Sequence, residues 1–224
     1  MKKQILLLFL FLSGLMYSQT PEFTAPDYEL IEKNVNTEKS PLNFETLFER
    51  YTKADTTMTL QEKRHLYYGY SFQEEYSPYS RSPAEKKLRE VLQKENADKS
   101  DLEKIITYTD TILAQYPFSL RMKEYRMYSF SELGKPLELE KEKAQASIII
   151  DAILSTGDGT TEETCFYVIT TANEYEIINL LGFSFGGSQS LIGGRYDYLT
   201  VAENPYELGG FYFDITRSLH SLKF

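Results

Sequence analysis

The chain has no tryptophan, one cysteine, two histidines, and fewer cationic than anionic side chains. A lone Cys165 excludes an intrachain disulfide, so a packed apolar core must hold the fold. His65 and His220 stand outside any His-x-x-x-His spacing, and Cys-x-x-Cys and EF-hand patterns are missing. We therefore expect no metal site and no cofactor. With 24 Lys and Arg against 33 Asp and Glu, the formal charge is −9. Nucleic-acid binding depends on a basic surface that releases counterions, so a nucleic acid is excluded as the main partner. Gly182, Gly186, Gly187, Gly193 and Gly194 lack the Gly-Lys-Ser/Thr ending and following helix of a phosphate cradle, which leaves turns or a hairpin. There is no Gly-x-Ser-x-Gly elbow either, and no residue is assigned a catalytic role.

Long apolar runs are equally scarce. The one at the start, Ile5 to Leu15, is roughly 11 residues, where a membrane span needs about 20. Lys2 and Lys3 precede it, and Met16-Tyr17-Ser18 leads into polar Gln19. This layout predicts a secretory signal over residues 1–18, cut near Ser18-Gln19. No cysteine lies beside the cut to carry a lipid, and no later segment is long enough to span. The expected location is extracytoplasmic, either periplasmic or released. Cleavage would remove Lys2 and Lys3 and no acid, taking the formal charge from −9 to −11.

What remains is rich in helix starts. Residues 19–39 show no clear period and read as an extended lead-in. Ser40-Pro41 reads as an N-cap followed by proline at the first helical position, ahead of Phe44, Leu47, Phe48 and Tyr51. Thr59 to Glu62 and Ser82 to Glu85 read as capping boxes, and Ser100 to Glu103 as a third. Leu102, Ile105, Ile106, Ile112, Leu113 and Tyr116 form an apolar stripe. Tyr116-Pro117-Phe118 breaks the chain before a helix over Ser119 to Leu133, closed by Gly134. Pro136 opens another helix to about Ser155, whose end, Ile148 to Leu154, is apolar all round and should be buried.

The period changes after Gly157-Asp158-Gly159. Cys165 to Thr171, Tyr175 to Phe185, Tyr196 to Val201 and Phe211 to Ile215 read as four strands of an antiparallel meander. Asp197, Leu199 and Val201 share one face of the third. The fold class is thus α+β: an antiparallel helix layer over 40–156, then a β-rich region over 157–224, packed together as one composite domain.

Two resemblances accompany these patterns. Leu102 to about Ala146 resembles a tetratricopeptide-type helical hairpin, with Tyr125, Tyr128 and Glu132-Leu133-Gly134-Lys135 in place, though it covers little more than one repeat. More widely, LQEKRHLYYGYSFQEEYSP (Leu60 to Pro78), Tyr116-Pro117-Phe118, DAILSTGDGTTEET (Asp151 to Thr164) and Tyr212-Phe213-Asp214-Ile215 resemble an uncharacterised family of exported Bacteroidota proteins, domain of unknown function 4919. That resemblance implies the compartment and the domain extent. It implies no chemistry.

Candidate sites follow from local density. Tyr67, Tyr68 and Tyr70 cannot share one helix face, since neighbours are about 100° apart. Tyr68, Tyr70, Tyr76 and Tyr79 are therefore candidates to grip a sugar or a protein; the competing role is wedging helices together. Asp158 and Glu162 in the 155–163 loop are candidate ligand contacts, against a plain turn from helices to sheet. His65 reads as solvated on a charged face and Cys165 as an inward strand residue. Together these features favour a non-catalytic binding module for a protein or a cell-envelope glycan. An envelope-assembly accessory is close to that reading. The alternative is an acid-dependent hydrolase of envelope or extracellular polymers, which requires two carboxylates converging in a cleft with one in an apolar setting.

Overall fold

The computed structural model describes residues 23–221, so the expected signal segment lies outside the described residues. Among the described residues seven α-helices come first, α1 (Tyr28–Val35), α2 (Phe44–Thr52), α3 (Leu60–Gly69), α4 (Ala84–Leu92), α5 (Lys99–Leu113), α6 (Leu120–Glu132) and α7 (Pro136–Leu154), with a 3-10 turn (Tyr70–Phe72) after α3. Then follow β1 (Phe166–Tyr167), α8 (Thr171–Leu180), β2 (Phe185–Ile192), β3 (Tyr196–Val201), β4 (Gly210–Asp214) and α9 (Thr216–His220). The α+β class holds. No helix among the described residues is long and apolar enough to cross a membrane.

Local chemistry sets most helix starts. Thr59 and Glu62 form the expected reciprocal box at α3, and Pro136 sits at the start of α7. Other starts move. The lead-in contains α1, capped by Asp27 and anchored by buried Ile31 and Val35. The cap of α2 is Asn43, whose Oδ1 accepts from the Glu45 N–H at 3.1 Å while its Nδ2 donates to the Val35 carbonyl. The box at α5 is Asp98 with Asp101. His65 is 5% exposed. Its Nδ1 donates to the Gln61 carbonyl at 2.9 Å and its Nε2 accepts from Asn34 at 3.1 Å, so it is a neutral core group. Burial lowers its pKa accordingly.

The sheet has the order β1-β4-β3-β2. Strands β2, β3 and β4 form the antiparallel part, but β1 pairs parallel with β4, so the sheet is mixed. Two of the expected strands and one expected turn change: the strand expected over Cys165 to Thr171 shortens to β1. Tyr175 to Leu180 belongs to helix α8, and the glycine-bearing stretch expected to be turn is strand β2. Two apolar clusters result. The larger joins Leu66, Tyr67 and Tyr68 of α3 and Ile148, Ile149 and Ile153 of α7 to Phe166, Leu199 and Phe213. The smaller is made of Ala84, Leu88, Val91, Leu102, Ile105 and Ile112, between α4 and α5.

The 155–165 loop carries the chain from helices to sheet with no room to spare. A Cβ on Gly157 would fall 1.9 Å from the Thr164 carbonyl oxygen. Gly157→Ala must therefore displace backbone, and it should cost about 3 kcal/mol in a urea melt. Gly134 (φ +65°) meets open space, so Gly134→Ala should lose only about 1 kcal/mol to backbone strain. Equal midpoints for the two variants would show that the loop yields.

Candidate functional site

A cavity of about 270 Å³ opens where the two apolar clusters meet. Tyr70, Tyr76 and Phe118 come from the larger cluster, and Ile112, Tyr116 and Met122 from the smaller. The Tyr70 ring stands edge-on to Phe118 (5.4 Å, 85°) and to Tyr76 (5.8 Å, 86°). Hydroxyl hydrogen bonds hold these rings in place. The Tyr70 hydroxyl donates to the Gln115 carbonyl at 3.0 Å, the Tyr76 hydroxyl donates to the Ile169 carbonyl, and Tyr116 shares a 2.6 Å bond with Ser80. Apolar walls with ring bodies turned inward suit a ligand that brings its own apolar surface.

One wall is polar. Glu176 of α8 is buried and accepts from the Arg121 N–H (2.7 Å), the Leu120 N–H (3.2 Å), Ser119 Oγ (3.1 Å) and Asn173 Nδ2 (2.6 Å). Two donors on each oxygen saturate the carboxylate, and it caps α6 from outside. Burial raises its pKa, against the pull of those donors.

A second acidic feature lies between α8 and β3. Glu174 is 0% and Asp197 4% exposed, and Glu174 Oε1 is buried with no hydrogen-bond partner among the described residues. Burial, then the charge of Asp197, pushes the Glu174 carboxyl up to about 9; burial also raises Asp197. Gln189 Nε2 donates to Asp197 and, at 3.4 Å, to Glu174, while the Tyr175 hydroxyl holds its Oε1 at 2.6 Å. Gln189 thus bridges the two acids, and burial favours the protonated form of Glu174. Neither acid lines the cavity.

The sequence candidates separate on this frame. Tyr70 and Tyr76 line the cavity, together with Pro78. Tyr79 lies nearby in sequence, 43% exposed, and faces the Glu174–Asp197 charges. Tyr68 is a correction: its ring is in the core, and its hydroxyl donates to the Ala152 and Tyr167 carbonyls. Asp158 is exposed but holds its own loop, accepting from Thr160 N–H, Thr160 Oγ and Thr164 Oγ within 2.9 Å. Glu162 is exposed on the same loop, and neither acid lines the cavity. Cys165 is buried and its thiol is pushed up to about 12, far from a reactive thiolate.

The sequence alone did not point to Tyr116, Phe118, Arg121 and Glu176 as one site. What was legible belongs to the buried acid pair apart from the cavity: Asp197 lies on the strand face shared with Leu199 and Val201.

No curated protein and no solved structure matches the chain. A family model described as Domain of unknown function (DUF4919) matches residues 29–223, nearly the whole chain. The chain belongs to the DUF4919 family.

Proposed function

We propose that the protein is an exported, non-catalytic binding module of the bacterial cell envelope, and that its ligand, a protein or an envelope glycan, seats in the aromatic cavity. The observation that carries this reading is the cavity's place at the seam between two cores, with tyrosine rings braced through their hydroxyls. Braced rings lose little freedom on binding, which lowers the entropic cost of association. Export rests on the Lys2 to Ser18 pattern. A hydrolase requires a carboxyl within reach of substrate. Glu85 lines the cavity, but the other carboxyl there, Glu176, is spent on four donors, and Glu174 and Asp197 converge only beneath Gln189.

Ala172, exposed at the start of α8, lines the cavity without belonging to either core. Ala172→Trp should fill the mouth and leave the fold alone. The mature chain, immobilised against envelope extract and against a glycan array, should lose at least about tenfold in capture with this variant. Its melting temperature should stay within a few degrees of wild type. Capture equal to wild type would remove the cavity from the binding site.

A further inference from the structure

A second cavity, of about 220 Å³, lies on the other side of Arg121 and Glu176, which line both. Its remaining walls are mostly apolar: Leu120, Met127, Ala146, Ile150 and Leu180. Two largely apolar hollows therefore flank one shared polar wall, with Glu85 and the hydroxyls of Ser77, Ser80 and Thr170 elsewhere in the first. Within that wall Glu176 has no acceptor capacity left. Arg121 is the sole cation in either lining among the described residues.

The Arg121 main chain is pinned, because its N–H is held by Glu176 at 2.7 Å. Its guanidinium is not. Nη1 meets only Glu124 Oε2, at 3.2 Å one turn along α6, with side chains 37% and 63% exposed. Such a surface pair contributes little to stability, and its geometry is easily exchanged. A carboxylate arriving between the hollows would meet a guanidinium anchored at its base and free at its tip, the fork that favours bidentate pairing.

Resting on the binding reading above, we propose that the two cavities form one bipartite groove for a peptide segment of a partner protein, with two apolar side chains flanking an acidic residue. The apolar side chains fill the hollows, and Arg121 pairs with the acid between them in exchange for Glu124. The match is one of charge and shape: one cation at the divide, its present partner Glu124 exchangeable, and largely apolar walls on either side, with Glu85 held by the Ser82 N–H.

The test titrates the full mature chain, followed by NMR amide shifts, with acetylated peptide amides. These place phenylalanine and leucine two to four positions apart with one aspartate between, each beside its asparagine twin; a chitin-derived tetrasaccharide is the glycan probe. At least one aspartate peptide should bind about tenfold or more tighter than its twin. Arg121→Gln should erase that difference, and Glu124→Gln, by removing the competing carboxylate, should tighten the aspartate peptide. Twins that bind equally in a manner blocked by Ala172→Trp would overturn the role of Arg121 while leaving the cavity reading intact. Binding of the tetrasaccharide alone, blocked by the same variant, would overturn the peptide inference and keep the cavity. Shifts from no probe would overturn the bipartite groove.

Discussion

Between pH 5 and pH 9 the wild-type protein should lose stability steadily, and Glu174→Gln should lose much less. Glu174 is raised from an ordinary value near 4.5 to about 9 by burial and by Asp197. In that window the folded state holds a proton that the unfolded chain has released. Unfolding then frees a proton, so stability is full below the unfolded value and is lost as pH rises toward the folded one. One proton gives a slope of about 1.4 kcal/mol per pH unit, and the whole window amounts to several kcal/mol. Asp197, also raised by burial, shifts in the same direction. The other groups facing the pair are Tyr79, Tyr175 and Gln189, none of which titrates below pH 9 in this setting. A glutamine at 174 keeps the shape of the protonated acid and has no proton to lose. Urea melts at unit pH intervals read both proteins. A flat wild-type profile would mean that the pair is ionised and solvated in the folded state.

The next largest effect should come from the charges buried between α6 and α7. Lys123 is 2% exposed. Its Nζ donates to Glu142 Oε2 at 3.2 Å and to Gln145 Oε1 at 2.8 Å. Arg126 Nε meets the other Glu142 oxygen at 2.6 Å, and Gln145 Nε2 donates to the Tyr51 carbonyl at 3.0 Å. Glu142 is thus the shared anion of two cations. Removing it strands a buried ammonium whose pKa burial already lowers. Glu142→Ala should cost about 3–5 kcal/mol. Lys123→Met combined with Glu142→Met should recover most of that loss, because Arg126 keeps Asp110 and no unpaired charge stays inside. The double variant melting below Glu142→Ala would show that the network's hydrogen bonds, rather than charge burial, dominate.

How much of this was legible follows how local each signal is. Thr59 with Glu62, Pro136 and Gly134 act within one turn, and the chain uses them as written. At α5 two frames compete, Asp98 with Asp101 and Ser100 with Glu103. The frame two residues earlier prevails, where Lys94 also reaches Asp101 at 2.6 Å. Tyr175 to Leu180 is a short β-branched and aromatic run whose period does not separate helix from strand. Ile177 and Ile178 are both buried, so this helix is covered on adjacent faces, as a buried strand would be. Strand β2 hides behind its glycines. Gly186 allows close approach to Val201, and Gln189 to Ile192 then pair regularly with β3. The aromatic crowding in α3 was visible, but its resolution was not. Tyr67 and Tyr68 are both at 0% exposure because core surrounds the helix on several sides. The cavity draws on segments about a hundred residues apart, from Tyr70 to Glu176, and no local pattern connects them.

The meeting of two cores also determines how the molecule breathes. The α4–α5 cluster is a small raft moored beside a larger hull, and the cavity is the gap between them. Anything lodged there touches both and couples their opening. Slowed amide exchange in α5 would then report that the berth is filled, even before the occupant has been identified.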